Sequence, residues 1–453
     1  MKESGAYIIG ITDCGESVCA ASGRISTQKG TALEIFERSH DKEKNANLIS
    51  KVIRSGHTST IEHIFFNLAF ENVSVVVEQF MIEFRLASFT VKSRRYVDFS
   101  DSGYYIPSFP DNALTEKYKA HMNDLFELYS KLCDGGVPKE DARFVLPYCF
   151  FSNFFCSLNG RETVNVLRAM LYGRGKNIPE IYNIGLKLLE ECKKYAPGVF
   201  GNFEEDNKNY TDMPDFSFDL PKEDGLKPDI QILSSTPDCE KLIAKAALIE
   251  NAMLSSYQLD SVLENKENVS KIIDAVAASA RPRALESAAF TIRFNDISLS
   301  TLTHLARHRM QSLLVPQLHK CYRTSYIIPQ SVKESDFMEE YIAAFEKTAA
   351  LYDEMNRLGV PAGESVYCLL SGNTIDVVST MNGRELKLFF ELRTCTRAQW
   401  EIREKATRLL FELRKVSPLL FKKFGPSCFS KGKCPEGRLS CGKAAEMNEI
   451  FSK

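Results

Sequence analysis

Apolar positions along the chain recur with two periods. Residues 45–53 repeat at helical spacing, 64–70 form an apolar, strand-like stretch, and 74–84 return to helical spacing. The same order comes back further on, with a strand predicted over 288–294 and a helix over 298–309. A long amphipathic pattern at 114–132 predicts a helix and is answered by one at 337–358; each stops at glycine just before Gly-Val-Pro. Two further helical stretches close each set. The reading is α+β, with each copy a small mixed sheet and long helices.

Recurrence of the pattern is matched by recurrence of residues. Gly136-Val137-Pro138 lies 23 residues before Asn159-Gly160-Arg161-Glu162, and Gly359-Val360-Pro361 lies 23 residues before Asn382-Gly383-Arg384-Glu385. Glu62 precedes Arg85 by 23 residues, as Glu286 precedes Arg309. The chain therefore reads as a tandem duplication: a first domain over 1–200, a linker over 201–228, a second domain over 229–424 and a cysteine-containing tail over 425–453. The linker carries eight acidic residues against three lysines, with prolines at 214, 221 and 228, a composition that suits a solvated connection. An ordinary long loop within one domain is the alternative.

Composition narrows the partners. With 453 residues, 44% of them hydrophobic, the chain can bury two or three substantial cores. A formal net charge of −2 leaves no global basic field, which argues against broad binding of nucleic acid or membrane surfaces and requires any anionic ligand to be held locally. Residues 1–12 lack a basic stretch followed by an apolar core, and no apolar run approaches the roughly 20 residues of a membrane span. The expectation is a cytoplasmic protein whose thirteen cysteines are mostly reduced and buried. Cys428, Cys434 and Cys441 stand apart in a segment rich in glycine and lysine; they could bind zinc with a fourth ligand, but five and then six intervening residues are not a paired CxxC. A disulfide and an unliganded tail are the other readings, and no metal is the expectation.

The candidate chemistry is cationic. Arg307-His308-Arg309 falls near the end of the helix predicted over 298–309, and two guanidiniums with an imidazole inside one turn repel each other unless an anion answers them. A solvated basic helix end is the alternative for the triplet taken alone. With its surroundings the chain resembles the flavin-dependent thymidylate synthases, which carry Arg-His-Arg followed seven residues later by Ser-x-Arg-Tyr. The second copy has the triplet but Gln317 and His319 in the serine and arginine places; the first has Glu83-Phe84-Arg85, then Ser93-Arg94-Arg95-Tyr96. The first copy's segment from Gly56-His57 through Ser59 and Glu62 to His63, and its Ala142-Arg143 to Leu146-Pro147, are also similar to family segments. The second copy is similar in Asn382-Gly383-Arg384, Leu392-Arg393 and the run from Ala398 to Arg403, whereas Met170 stands in the first copy where Arg393 stands in the second. The losses are complementary.

The resemblance implies a tetrameric ancestor with active sites built between subunits, so that a fused pair keeps one type of composite site and a homodimer imitates the tetramer. It implies that Arg307, His308 and Arg309 hold FAD, with Arg307 also near the nucleotide. Ser93, Arg95 and Arg143 grip the nucleotide phosphate and sugar. Asn382 and Arg384 contact FAD, Ser59 and Glu62 fall at flavin positions, and His57 lies where flavin and folate meet. Arg393 is the catalytic residue, stabilising negative charge on the pyrimidine. The implied reaction methylates C5 of dUMP to give dTMP, taking the one-carbon unit from methylenetetrahydrofolate and reducing equivalents from NADPH through FAD. Val91 and His304 replace a glutamate and a glutamine usual in the family, which keeps UMP or another pyrimidine nucleotide open as substrate. The reading from another class is a nucleotide- or flavin-binding regulatory protein without turnover.

Overall fold

The computed structural model describes residues 4–212, 216, 218 and 227–453, so part of the linker expected over 201–228 lies outside the described residues. The chain forms two compact units, the first made of Met1–Lys222, Gln317–His319 and Ile327–Asn373, the second of Glu223–Pro316, Lys320–Tyr326 and Thr374–Lys453. Compact units and sequence repeats therefore do not coincide, since residues 327–373 of the second repeat pack into the first unit.

In the first unit, strands β1 (Gly5–Ile11), β2 (Phe65–Ser74), β3 (Ser88–Val91) and β4 (Phe151–Asn159) form one sheet in the order β1-β2-β4-β3. Alternate residues of β4 (Ser152, Phe154, Cys156 and Leu158) are buried, the period-two pattern of a strand with one covered face. Phe70 and Phe154 sit opposite each other and stack with ring centroids 4.3 Å apart. The second unit repeats the plan with β5 (Ile230–Ser235), β6 (Ala289–Ser298), β7 (Gln311–Leu314), β8 (Tyr322–Tyr326) and β9 (Asn373–Asn382); its path is β5-β6-β9-β7, with β8 also paired to β9. The α+β class stands, and each ladder with a described register is antiparallel. Strands β2 and β6 each break register against the neighbouring inner strand, at Phe70/Val73 and Phe294/Ile297, around Asn72 and Asp296, each at φ 49°. Asn and Asp tolerate this left-handed geometry better than other L-residues.

Helices form where apolar spacing and caps agree. The stretch predicted over 45–53 is the helix Lys42–Arg54, that over 114–132 is Asn112–Asp134 and that over 337–358 is Met338–Arg357. The closing pairs are Gly160–Leu171 with Pro179–Tyr195, and Gly383–Arg393 with Trp400–Val416. Asn159 and Asn382 cap their helices alike, each side chain accepting from the backbone N–H three residues on. One helix is shorter than its pattern: 298–309 yields only Leu299–Leu305, so the Arg307–Arg309 triplet lies in the turn leading to β7 rather than at a helix end. Gln311 ends the helix. Its amide donates to the Leu305 carbonyl at 2.6 Å while its oxygen accepts from Ser379 Oγ at 2.6 Å on β9, so tertiary partners replace the next helical turn.

Within the first unit, the helices Asn112–Asp134 and Met338–Arg357 pack together around a buried hydrogen bond from His121 to Thr348 Oγ1, 2.7 Å. Chain segments beside them pair reciprocally: Tyr148 N donates to Leu369 O (2.7 Å) and Ser371 N to Leu146 O (3.0 Å), around a bridge between Pro147 and Leu370. These bonds interchange at the offset of 223 residues and make a local two-fold inside one unit. Gly135 lies against the Phe337 ring so closely that an added Cβ would stand 2.3 Å from it. In the second unit the tail is packed down: Arg414 donates to the Phe451 carbonyl at 2.7 Å, and Met447 and Phe451 are buried. No helix among the described residues is long and apolar enough to cross a membrane.

Candidate active site

The first unit gathers guanidiniums. The turn after β3 presents Ser93, Arg94 and Arg95, and the short turn Arg143–Val145 presents Arg143. Arg95 Nε donates to Glu140 Oε2 at 2.6 Å and Arg143 Nε to the Glu140 carbonyl at 3.0 Å, so residue 140 ties the two together. Ser93 Oγ accepts from the Arg95 backbone N–H at 3.3 Å. Burial, with the nearby charges of Arg94 and Arg95, pushes the Arg143 guanidinium down to about 9. Arg94 is buried as well, paired to Glu78 at 2.5 Å, with Ser152 Oγ donating to the other Glu78 oxygen; Arg94 Nη1 has no partner. A buried orphan donor among three guanidiniums is what an anion would satisfy. His57, Ser59 and Glu62 lie together on the short helix Thr58–His63 and its cap, where Glu62 accepts from Arg161 at 2.8 Å.

The second unit builds a relay. Arg393, at the end of the helix Gly383–Arg393, donates from Nε to His308 Nε2 at 2.9 Å, and His308 Nδ1 lies 3.0 Å from Oε1 of Glu385 in the first turn of the same helix. Because Nε2 accepts, Nδ1 carries the proton and donates to Glu385. His308 is 3% exposed, with Phe389 edge-on at 5.0 Å. Burial holds its pKa below the ordinary histidine value, Glu385 pulls it partly back and Arg393 lowers it, so the ring is neutral and its lone pair is available to Arg393. Arg307 and Arg309, on either side of His308 in the chain, are exposed.

Beside the relay is a cleft of about 890 Å³. Asn382, Arg384, Glu385 and Lys387 line it together with Glu286, residues 277–280 and Pro282, and Met310 follows the triplet into it. Arg384 donates to Glu286 at 2.6 Å, the counterpart of Arg161 and Glu62 in the first unit. The cleft does not include Arg307, His308, Arg309 or Arg393.

Comparison with known proteins accounts for the repeat. The family described as "Thymidylate synthase complementing protein" matches the chain twice, over residues 8–198 and 231–419. A flavin-dependent thymidylate synthase of Clostridium tetani is 33% identical over 241 residues, which is 49% of this chain and 96% of that protein. One from Geobacter sulfurreducens is 34% identical over 227 residues, 49% of this chain and 97% of the relative. The chain belongs to the flavin-dependent thymidylate synthase family. Each relative is about one repeat long, and this member carries the family domain twice.

Within this family member the cleft has a donor set that fits a flavin dinucleotide: cationic Arg384 and Lys387, the Asn382 amide, and an apolar wall of Ala277, Ala278, Ala280, Pro282 and Leu388 on which a flat ring can lie. Other motif residues are structural. Glu401 is buried and accepts from the Ser298 backbone N–H at 2.8 Å and from its hydroxyl, and Glu180 accepts likewise from Ser74 N in the first unit at 2.9 Å. Sequence reasoning missed Glu385 and Arg94 as site residues. The repeat register gives no signal for Glu385, because Glu162 occupies its place in a copy that lacks both the histidine and the arginine. Arg94 fills an unspecified motif position and gives none either. Among the described residues no group of three or more His, Cys, Asp or Glu side chains is placed to hold a metal ion, Cys428, Cys434 and Cys441 included.

Proposed function

We propose that the protein methylates C5 of dUMP to dTMP with methylenetetrahydrofolate as one-carbon donor and NADPH as reductant, and that a homodimer assembles sites from first-repeat phosphate grips and second-repeat flavin and catalytic residues. The observation that carries this reading is the Glu385–His308–Arg393 relay, complete in the second repeat and absent from the first. FAD, when bound, supplies the hydride that turns the transferred methylene into a methyl group. Asn382 and Arg384 would hold it, with Arg307 and Arg309 at the turn beside it.

The chain's own residues supply position and charge. Neutral His308 fixes the Arg393 guanidinium through Nε, and the guanidinium so held would stabilise negative charge on the pyrimidine as C5 becomes nucleophilic. No thiolate nucleophile is required. Arg95, Arg143 and Arg94, with Ser93, would bind the nucleotide phosphate, and that anion would relieve the mutual repulsion of the three guanidiniums. His57, Ser59 and Glu62 would meet the flavin and folate.

Incubation with dUMP, methylenetetrahydrofolate and NADPH tests the reading, with dTMP detected by mass spectrometry and UMP run in parallel. The expected result is dTMP from the intact protein and none from Arg393→Ala or Arg95→Ala. Methylation of UMP alone would reassign the substrate. Full activity in either variant would overturn the composite site.

A further inference from the structure

We infer that Ser430 and Lys431, from the C-terminal segment beyond the family match, complete the flavin cleft as ligands for the anionic diphosphate of the dinucleotide. The inference rests on the cleft being the flavin site. Family similarity ends at residue 419, yet both residues line the same cleft as Asn382 and Arg384.

The segment is held in place. The short helix Ser427–Ser430 follows Pro426, whose carbonyl accepts from Phe429 N and Ser430 N, and Phe429 packs on Phe451 with centroids 6.0 Å apart. Lys431 is thereby set opposite the helix Gly383–Arg393. Its ammonium lies 2.7 Å from Glu391 Oε2, while Lys387 pairs with Oε1 of the same carboxylate. One buried carboxylate thus serves two ammoniums at the cleft wall, while Glu286 and Glu385 offset Arg384 in the same lining, so it is the exposure of Lys431 rather than an overall excess of positive charge that makes it available to a ligand. Glu391 is 4% exposed whereas Lys431 is 55% exposed, so the lysine can turn to a ligand without uncovering the core.

Ser430 adds an independent sign. Its Oγ is buried and has no hydrogen-bond partner, although a buried hydroxyl ordinarily finds one. An acceptor entering the cleft beside Lys431 would take that proton. A hydroxyl donor next to an exposed ammonium suits a phosphate oxygen, with lysine acting as a point charge.

Affinity for FAD, followed by quenching of flavin fluorescence on titration into flavin-stripped full-length protein, tests the inference without recourse to turnover. Lys431→Met should weaken FAD by about tenfold or more at low ionic strength, the loss of one charge-assisted contact. The gap from the intact protein should close as salt is raised, and Lys431→Arg should restore most of the affinity. Ser430→Ala should weaken FAD less. The melting temperature of Lys431→Met should be nearly unchanged, because a half-exposed ion pair stabilises little. Unaltered affinity in Lys431→Met, or a loss that ignores salt and is not restored by arginine, overturns the inference. An intact protein that binds no FAD refutes the flavin reading itself, whereas loss in Arg384→Ala with an unaffected Lys431→Met rejects the tail alone.

Discussion

Arg393 is held by a histidine that is itself held by a glutamate. Glu385 fixes the His308 tautomer, and the depressed pKa of the buried ring keeps it an acceptor. For a base whose folded-state pKa lies below its unfolded value near 6.5, protonation favours the unfolded chain. Stability from this contact is therefore complete above that value and is lost as pH falls toward the depressed folded-state pKa. Catalysis should fall over the same acidic range, since imidazolium would turn a donor toward Arg393. Glu385→Gln should lower kcat by about 10²-fold, as expected when a reacting group is misplaced, with KM for the nucleotide little changed and the acidic limb of the pH–rate profile moved. An unshifted profile with unaltered kcat would exclude the relay. The Arg94–Glu78 pair makes a different demand, being buried on both sides. Arg94→Met should cost about 3 kcal/mol by stranding Glu78, and adding Glu78→Gln should recover part of it in urea denaturation.

At the scale of elements, the long helices were legible because their apolar stripes run for several turns and end at Gly-Val-Pro. The central strands β4 and β9 were not identified, although each runs straight into the Asn-Gly-Arg-Glu that caps the next helix. The helix at 298–309 was overestimated because periodicity cannot see Gln311 engaged by Ser379 from another strand. Pairing of Asn112–Asp134 with Met338–Arg357 makes its own prediction. Thr348 Oγ1 donates to the Ala344 carbonyl, so it accepts from a neutral His121, whose pKa burial pushes down to about 4. The folded first unit should then lose up to about 3 kcal/mol as pH falls from about 6.5 to about 4, having its full stability above that window. Urea midpoints across this range check it, and His121→Leu should flatten the response. A midpoint equally pH-dependent in that variant would show that another group governs it.

For the whole molecule, the duplication and the compact units tell different stories. Residues 327–373 belong by sequence to the second repeat and by packing to the first unit, where they cover Leu146, Pro147 and Tyr148 through reciprocal backbone hydrogen bonds. Residues 1–212 expressed alone would leave those groups and the His121 helix uncovered. They should self-associate through that face, which size-exclusion chromatography with light scattering would register as a dimer; a stable monomer with intact helical circular dichroism would contradict this. The proposed homodimer of the full chain should elute at twice its 51.2 kDa mass.

Periodicity, the fixed offset between copies and the split of cationic residues between them were determined by the sequence alone, because each is a local or register property that survives without knowledge of contacts. Tertiary structure alone decided where the triplet turns out of its helix, which carboxylate holds His308, that Arg94 is buried with an orphan donor, and that the tail returns to the cleft. The first two depend on partners 68 and 77 residues away. Burial sets the protonation and pairing of such groups, and burial is a property of the packed chain rather than of any stretch of it.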